Sequence, residues 1–154
     1  VAGSIFEKSG EIMDDKSKSG MTYHVTVSRQ DEAHAIAEAR GHTLSLNVKK
    51  GDGAAGFNAA ETLLAALGTC ILTNVNSISR QMGLQIDDAR LEFDAVRRDS
   101  PAALVEIRYR LILQSSAPED RLHHLHELSV KWGTVTNTII NGLNPVGELV
   151  IEQT

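Results

Sequence analysis

Apolar residues alternate with polar ones in several stretches of the chain and crowd together in another. Tyr23, Val25 and Val27 recur at period two in 22–29, and Leu44, Leu46 and Val48 do so in 42–48, so both stretches read as strands with one apolar face. The segment 33–39, AHAIAEA, fits a short helix or a strand; the strand reading makes a hairpin with 42–48 and is adopted. Two longer alternating segments, 89–98 and 103–114, flank DSPA and read as a second hairpin. In the latter, Val105, Ile107, Tyr109, Leu111 and Leu113 share one face and Glu106, Arg108 and Arg110 the other, as in a strand half-buried against a core.

Between the two hairpins the period changes. From Asn58 to about Met82 the spacing predicts one long helix, with Asn58 as N-cap and Glu61 three residues on, a capping box. Leu63, Leu64, Ala65, Ala66, Leu67, Ile71, Leu72 and Val75 cover most of its circumference. A helix apolar nearly all round must be buried on all sides. One small domain can hardly enclose it, so sheet is expected on one side and a second copy of the chain on the other. Ser116, Pro118 and Glu119 resemble a helix start and place a helix at about 117–131; a shorter helix over 134–140 closes at Gly142, and 147–153 reads as a final strand. Residues 1–20 read as a polar arm and 21–154 as a single α+β domain.

Composition narrows the partners. The formal net charge is −5 and hydrophobic residues make up 42%, an ordinary globular balance that argues against nucleic acid or an anionic membrane surface as a partner. The N-terminal stretch has no apolar core of the secretory type, and one cysteine cannot form an intrachain disulfide, which together suggest a reducing, cytoplasmic setting. The run GDGAAG (51–56) has the glycine spacing of a dinucleotide loop. Such a loop needs a second parallel strand ending in an acidic residue about 20 residues on. Here that position is Asn76, inside the helix, so a connecting loop is the better reading.

The stretch GFNAAETLLAALGTCILTNVNSISRQMGLQI resembles the central helix of the OsmC/Ohr family, with ETLLAALGTC at the family's spacing. EFDAVRRDSPAALVEIRYRLIL is similar to the family's paired strands and LSVKWGTVTNTI to its second helical region. The resemblance implies antiparallel sheets wrapped around long central helices in an intertwined homodimer, with a pocket at the dimer interface. It implies reduction of organic hydroperoxides by a peroxidatic cysteine, assisted by an arginine and a glutamate and resolved by a second cysteine, with no cofactor. Carried over residue by residue, Cys70 takes the peroxidatic position. Aligning GTVTNTI on the family's CPVSNTL puts Gly133 where the resolving cysteine belongs, so an external thiol would have to regenerate Cys70. The reductases' activating glutamate falls on Ala60 and the proline before the helix on Ala59; Glu61 matches a glutamate of the broader group. Arg29 and Arg40 are the candidate activators, with nothing in the motif to choose between them.

Leu63, Ala66, Leu67, Thr73, Asn74 and Ser77 share the helix face of Cys70, and none is charged. Glu61, nine residues away, lies about 13 Å off along the axis and is expected to serve the cap. Leu67, Thr73, Asn74, Trp132 and Gly133 are the expected pocket residues, Trp132 reading equally as a core anchor. His123, His126 and Glu127 have the spacing of metal ligands on one helix, but too few ligands converge in sequence, so a solvated face is expected. Two functions stay open: hydroperoxide reduction through Cys70, or a non-catalytic dimer that binds an apolar small molecule at its interface.

Overall fold

The computed structural model describes residues 20–150 and 152, so the expected arm over 1–20 lies almost wholly outside the described residues. Three short strands come first: β1 Thr26–Arg29, β2 His34–Ala39 and β3 His42–Asn47, paired antiparallel in that order. The strand expected over 22–29 keeps only its second half. Thr26 pairs with Glu38, and β2 turns away just beyond at Arg40–Gly41, where the ladder loses its neighbour. Both turn residues have positive φ, 53° and 79°, the two-residue turn that matches strand twist. The β1–β2 turn is held by Asp31, whose Oδ1 accepts from the N–H groups of Ala33 (2.7 Å) and His34 (2.8 Å). The Ala33 N–H, followed by the His34 side chain, brings its carboxyl down to about 2.

The glycine-rich run is a loop, organised by Asn47. This buried side chain accepts from Lys49 N–H (2.8 Å) and donates to the carbonyl of Asp52, while Asn47 N–H donates to Phe57 O (2.9 Å). Helix α1, Ala59–Gln81, follows with its capping box formed: Asn58 Oδ1 accepts from Glu61 N–H and Glu61 Oε2 from Asn58 N–H, each at 2.9 Å. Its length and composition would suffice to cross a membrane, beyond what the uninterrupted apolar runs suggest. One side of it instead forms the core.

Strands β4 (Asp88–Asp99) and β5 (Ala102–Gln114) make the second antiparallel hairpin, followed by helices α2 (Glu119–Lys131) and α3 (Thr134–Asn141). The start of α2 differs from expectation: Pro118 occupies the N-cap, which has no side-chain hydrogen bond, and Ser115 rather than Ser116 braces the turn by accepting from Ala117 N–H. Proline's fixed φ and the acidic Glu119 and Asp120 in the first turn suffice for the helix start. Helix α3 closes at Gly142 (φ 66°) as expected. The expected strand over 147–153 does not form among its described residues, 147–150 and 152; Leu149 and Val150 lie exposed and pair with none of the described strands.

The core lies between α1, the β4–β5 hairpin and α2. Leu67, Ile71, Val75, Leu84 and Leu125 are buried, and Phe93, Ile107, Tyr109, Leu111 and Leu113 close over them. Gly68 makes this approach possible: a Cβ there would lie 3.0 Å from the Phe93 ring. Val105 drops out of the apolar face. The register shifts between Val96 and Arg97, so that Val96 pairs with Glu106 but Arg97 with Leu104, and Val105 bulges outward. His126 is also not on a solvated face. Its Nε2 meets Tyr109 Oη at 2.6 Å, and burial pushes the Tyr109 phenol up.

The all-round burial expected for α1 is not met within one chain. Leu67, Gly68, Ile71, Val75 and Ser79 are buried, whereas Leu63, Ala65 and Ala66 are exposed. The three-stranded sheet does not pack extensively against α1 and carries Val27, Leu44 and Val48 uncovered. Leu125 is fully buried at the centre of what is covered. Leu125→Ala is expected to lower the unfolding free energy by about 2–5 kcal/mol, measured by urea denaturation.

Candidate functional site around Cys70

Cys70 lies one residue before Ile71, and Ile71 is at the middle of the buried stripe of α1. One residue is about 100° of helix rotation, so Cys70 falls at the border between the buried and open sides, and it is half-buried. Across from it is the junction of α2 and α3. Trp132 ends α2 and Gly133 caps α3. A Cβ on Gly133 would lie 3.2 Å from Cys70 Sγ, 2.6 Å from Thr136 Oγ1 and 3.1 Å from Thr136 Cβ. A side chain at 133 would therefore crowd Thr136 and, less tightly, the thiol.

Two features of this junction bear on chemistry. Within α3 the hydrogen-bond ladder begins with Asn137 N–H donating to Gly133 O (2.9 Å), so the N–H groups of Thr134, Val135 and Thr136 lie ahead of it, and Gly133 has no side chain to cap them. The N-terminus of α3 thus begins beside Cys70. Secondly, the hydroxyl of Thr136 is buried and finds no hydrogen-bond partner among the described residues. Such a group carries a desolvation cost and is uncommon in a folded protein.

The other expected residues have different positions. Leu67 belongs to the core cluster. Thr73 is exposed, its Oγ1 donating back to Thr69 O (2.8 Å). Asn74 ties helices together, its Nδ2 donating to Ser129 O of α2 (2.9 Å). Trp132 is 66% exposed, which removes the core-anchor reading; the C-cap turn points its ring outward, with Lys131 Nζ 5.5 Å above it. Arg29 ends β1 and Arg40 sits at the tip of the β2–β3 turn, both exposed. Neither is on an element that packs extensively against α1. Glu61 serves the cap nine residues from Cys70. Among the described residues no three His, Cys, Asp or Glu side chains converge as metal ligands would.

The structure thus brings together Cys70 and Gly133 and adds Thr136, which sequence reasoning missed. One signal for it was present: in the alignment of GTVTNTI on CPVSNTL, Thr136 falls on a serine, a second hydroxyl at that place.

The family profile described as OsmC-like protein matches residues 50–146, more than half of the chain. Among solved structures, the fold is similar to an OsmC-like protein from Mycoplasma pneumoniae, with a TM-score of 0.72 and 19% identity over 78% of this chain and 88% of that one. A hypothetical protein from Aquifex aeolicus VF5 gives a TM-score of 0.69 at 20% identity, covering 81% and 92% of the two chains. The organic hydroperoxide resistance protein OhrB of Bacillus subtilis gives 0.56 at 14% identity, covering 77% and 90%. Among curated proteins no relative matches.

The close approach at 133 makes a specific demand. Gly133→Ala is expected to cost about 1–3 kcal/mol of stability, because the new methyl meets Thr136. The cost should fall by at least about 0.5 kcal/mol when Thr136→Ala removes the nearest contact, as a double-mutant cycle by chemical denaturation would show.

Proposed function

The chain belongs to the OsmC-like protein family, and from that membership we propose that it reduces organic hydroperoxides through Cys70, with an external thiol as reductant. The observation that carries the reading is the 3.2 Å between Cys70 Sγ and the Cβ position of residue 133. The family alignment assigns these two positions to the attacking and resolving thiols, and they adjoin one another here. The fold-level likeness to a protein named for organic hydroperoxide resistance points the same way.

The chemistry follows from the single thiol. The Cys70 thiolate attacks one peroxide oxygen; an S–O bond forms as the O–O bond breaks, and sulfur gives up two electrons. The leaving alkoxide takes up a proton and departs as alcohol, leaving Cys70 as sulfenic acid. Gly133 supplies no second sulfur. A first external thiol therefore condenses with the sulfenic acid, releasing water and forming a mixed disulfide. A second thiol frees Cys70 and leaves as the small disulfide. The need for such thiols suits a reducing, cytoplasmic setting.

The reading includes a homodimer. The open side of α1, with exposed Leu63, Ala65 and Ala66, calls for apolar cover, and a second copy supplies it. In that assembly a sheet of the other copy would bring Arg29 or Arg40 toward the thiol, a cation that favours thiolate. Thr73, Asn74 and Trp132 would then lie along or beside the interface pocket.

Reduced protein mixed with cumene hydroperoxide should yield sulfenic acid at Cys70, trapped with dimedone and located by mass spectrometry, faster than the same thiol in the unfolded chain. Cys70→Ser should abolish the signal. Equal rates for folded and unfolded thiol would leave the other reading, a dimer that holds an apolar molecule without turning it over, and a retained ligand in native mass spectrometry would then identify it. Sedimentation equilibrium should give a mass twice that of the 16.7 kDa chain; a lone chain at micromolar concentration would exclude the interface.

A further inference from the structure

The chemistry at Cys70 makes no use of the glycine-rich run 51–56. That run borders a cleft of about 610 Å³, a size within the range of small-molecule sites. Lys49, Lys50 and Arg97 line the cleft, against one carboxylate, Asp52. In a chain of net charge −5 this is a local reversal of sign. The carboxylate is already engaged: its Oδ1 accepts from Ala54 N–H (3.0 Å) and its Oδ2 lies 3.9 Å from Lys49 Nζ. Arg97 meets Asp99, which is exposed and not part of the lining, and such a surface pair holds its cation only weakly.

The backbone adds donors. Asn47, 7% exposed, pins the loop by accepting from Lys49 N–H and donating to Asp52 O. Beyond Lys49, the N–H groups of Lys50, Gly51, Asp52 and Gly53 have no hydrogen-bond partner among the described residues. Gly51 needs to be glycine for its φ of 79°. Gly53 does not: its φ lies outside the left-handed region, and a Cβ there would meet nothing within 4 Å. Neither backbone conformation nor packing among the described residues calls for glycine at 53, whereas close approach of the backbone to a ligand does. The start of α1 supplies only wall, Ala59 and Ala60; its cap is already made by Asn58 and Glu61, so the cleft does not depend on that helix end.

We propose that this cleft binds the phosphate group of a small, non-aromatic phosphate ester. Four successive N–H groups and three cations offer more donors than a planar carboxylate can accept from, and a tetrahedral dianion suits both their number and their charge. The lining has no aromatic side chain on which a nucleotide base could stack. Ala60 lies ten residues before Cys70, about 15 Å along α1, and the inference is independent of the thiol chemistry.

The test is a titration of the ¹⁵N-labelled full chain at constant ionic strength. Ribose 5-phosphate should shift the amide resonances of Lys50 to Gly53 saturably, and acetate or chloride should leave them in place. Lys50→Gln and Arg97→Gln should each weaken binding of ribose 5-phosphate about tenfold, the effect of one lost charge-assisted hydrogen bond. Gly53→Ala should weaken it too, with a thermal midpoint at or slightly above that of the wild type, since the methyl displaces no atom of the chain. Inorganic phosphate that binds as tightly as ribose 5-phosphate assigns the cleft to the free ion and overturns the ester. No saturable shift up to about 20 mM ribose 5-phosphate, weaker than any useful affinity, overturns the site. Equal shifts with acetate, or an affinity unchanged in both Lys50→Gln and Arg97→Gln, overturn it as well.

Discussion

The structure depends on a single apolar helix that the described residues cover on one side only. Leu67, Ile71 and Val75 pack into the β4–β5 hairpin and α2, and Gly68 lets the helix settle onto Phe93. Burying such residues is worth about 1.5–3 kcal/mol apiece, which holds helix and hairpin as one unit. The remaining apolar circumference faces outward. Cys70 lies where these two sides meet, half-buried at the border of the covered stripe.

At that boundary two segments distant in sequence come into contact. The α2–α3 junction comes so near Cys70 that residue 133 has no room for a side chain, and the uncapped N-terminus of α3 and the unpartnered Thr136 hydroxyl converge there. A buried orphan hydroxyl and an uncapped helix end both weigh against stability. Both lie beside the half-buried Cys70. Asn74 contributes by holding α1 to α2 through Ser129 O, so the thiol and the junction are kept in register.

Features set by neighbouring residues were legible in the sequence. The capping box of Asn58 and Glu61, the Gly142 stop and the long β4–β5 hairpin all follow from interactions within a few residues, and each is found in the structure. Errors arose where a local pattern met a non-local condition. The apolar face of β5 loses Val105 because a bulge resets the register. The strand over 22–29 is halved because β2 turns away. The segment 147–150 alternates like a strand but pairs with no strand among the described residues. His126 was assigned to solvent because helix spacing alone does not reveal Tyr109 on the facing strand.

The sequence by itself determined that this is an α+β chain built on one long apolar helix with a lone cysteine on it, because periodicity and capping are short-range properties of the backbone. It also determined that glycine stands at residue 133, where the family resemblance places a second cysteine. Only the tertiary structure decided that Gly133 lies against Cys70, that Trp132 turns outward, and that the Thr136 hydroxyl is buried without a partner. Those facts depend on how segments more than sixty residues apart pack together, and packing distances between such segments are not encoded in the spacing of any one of them.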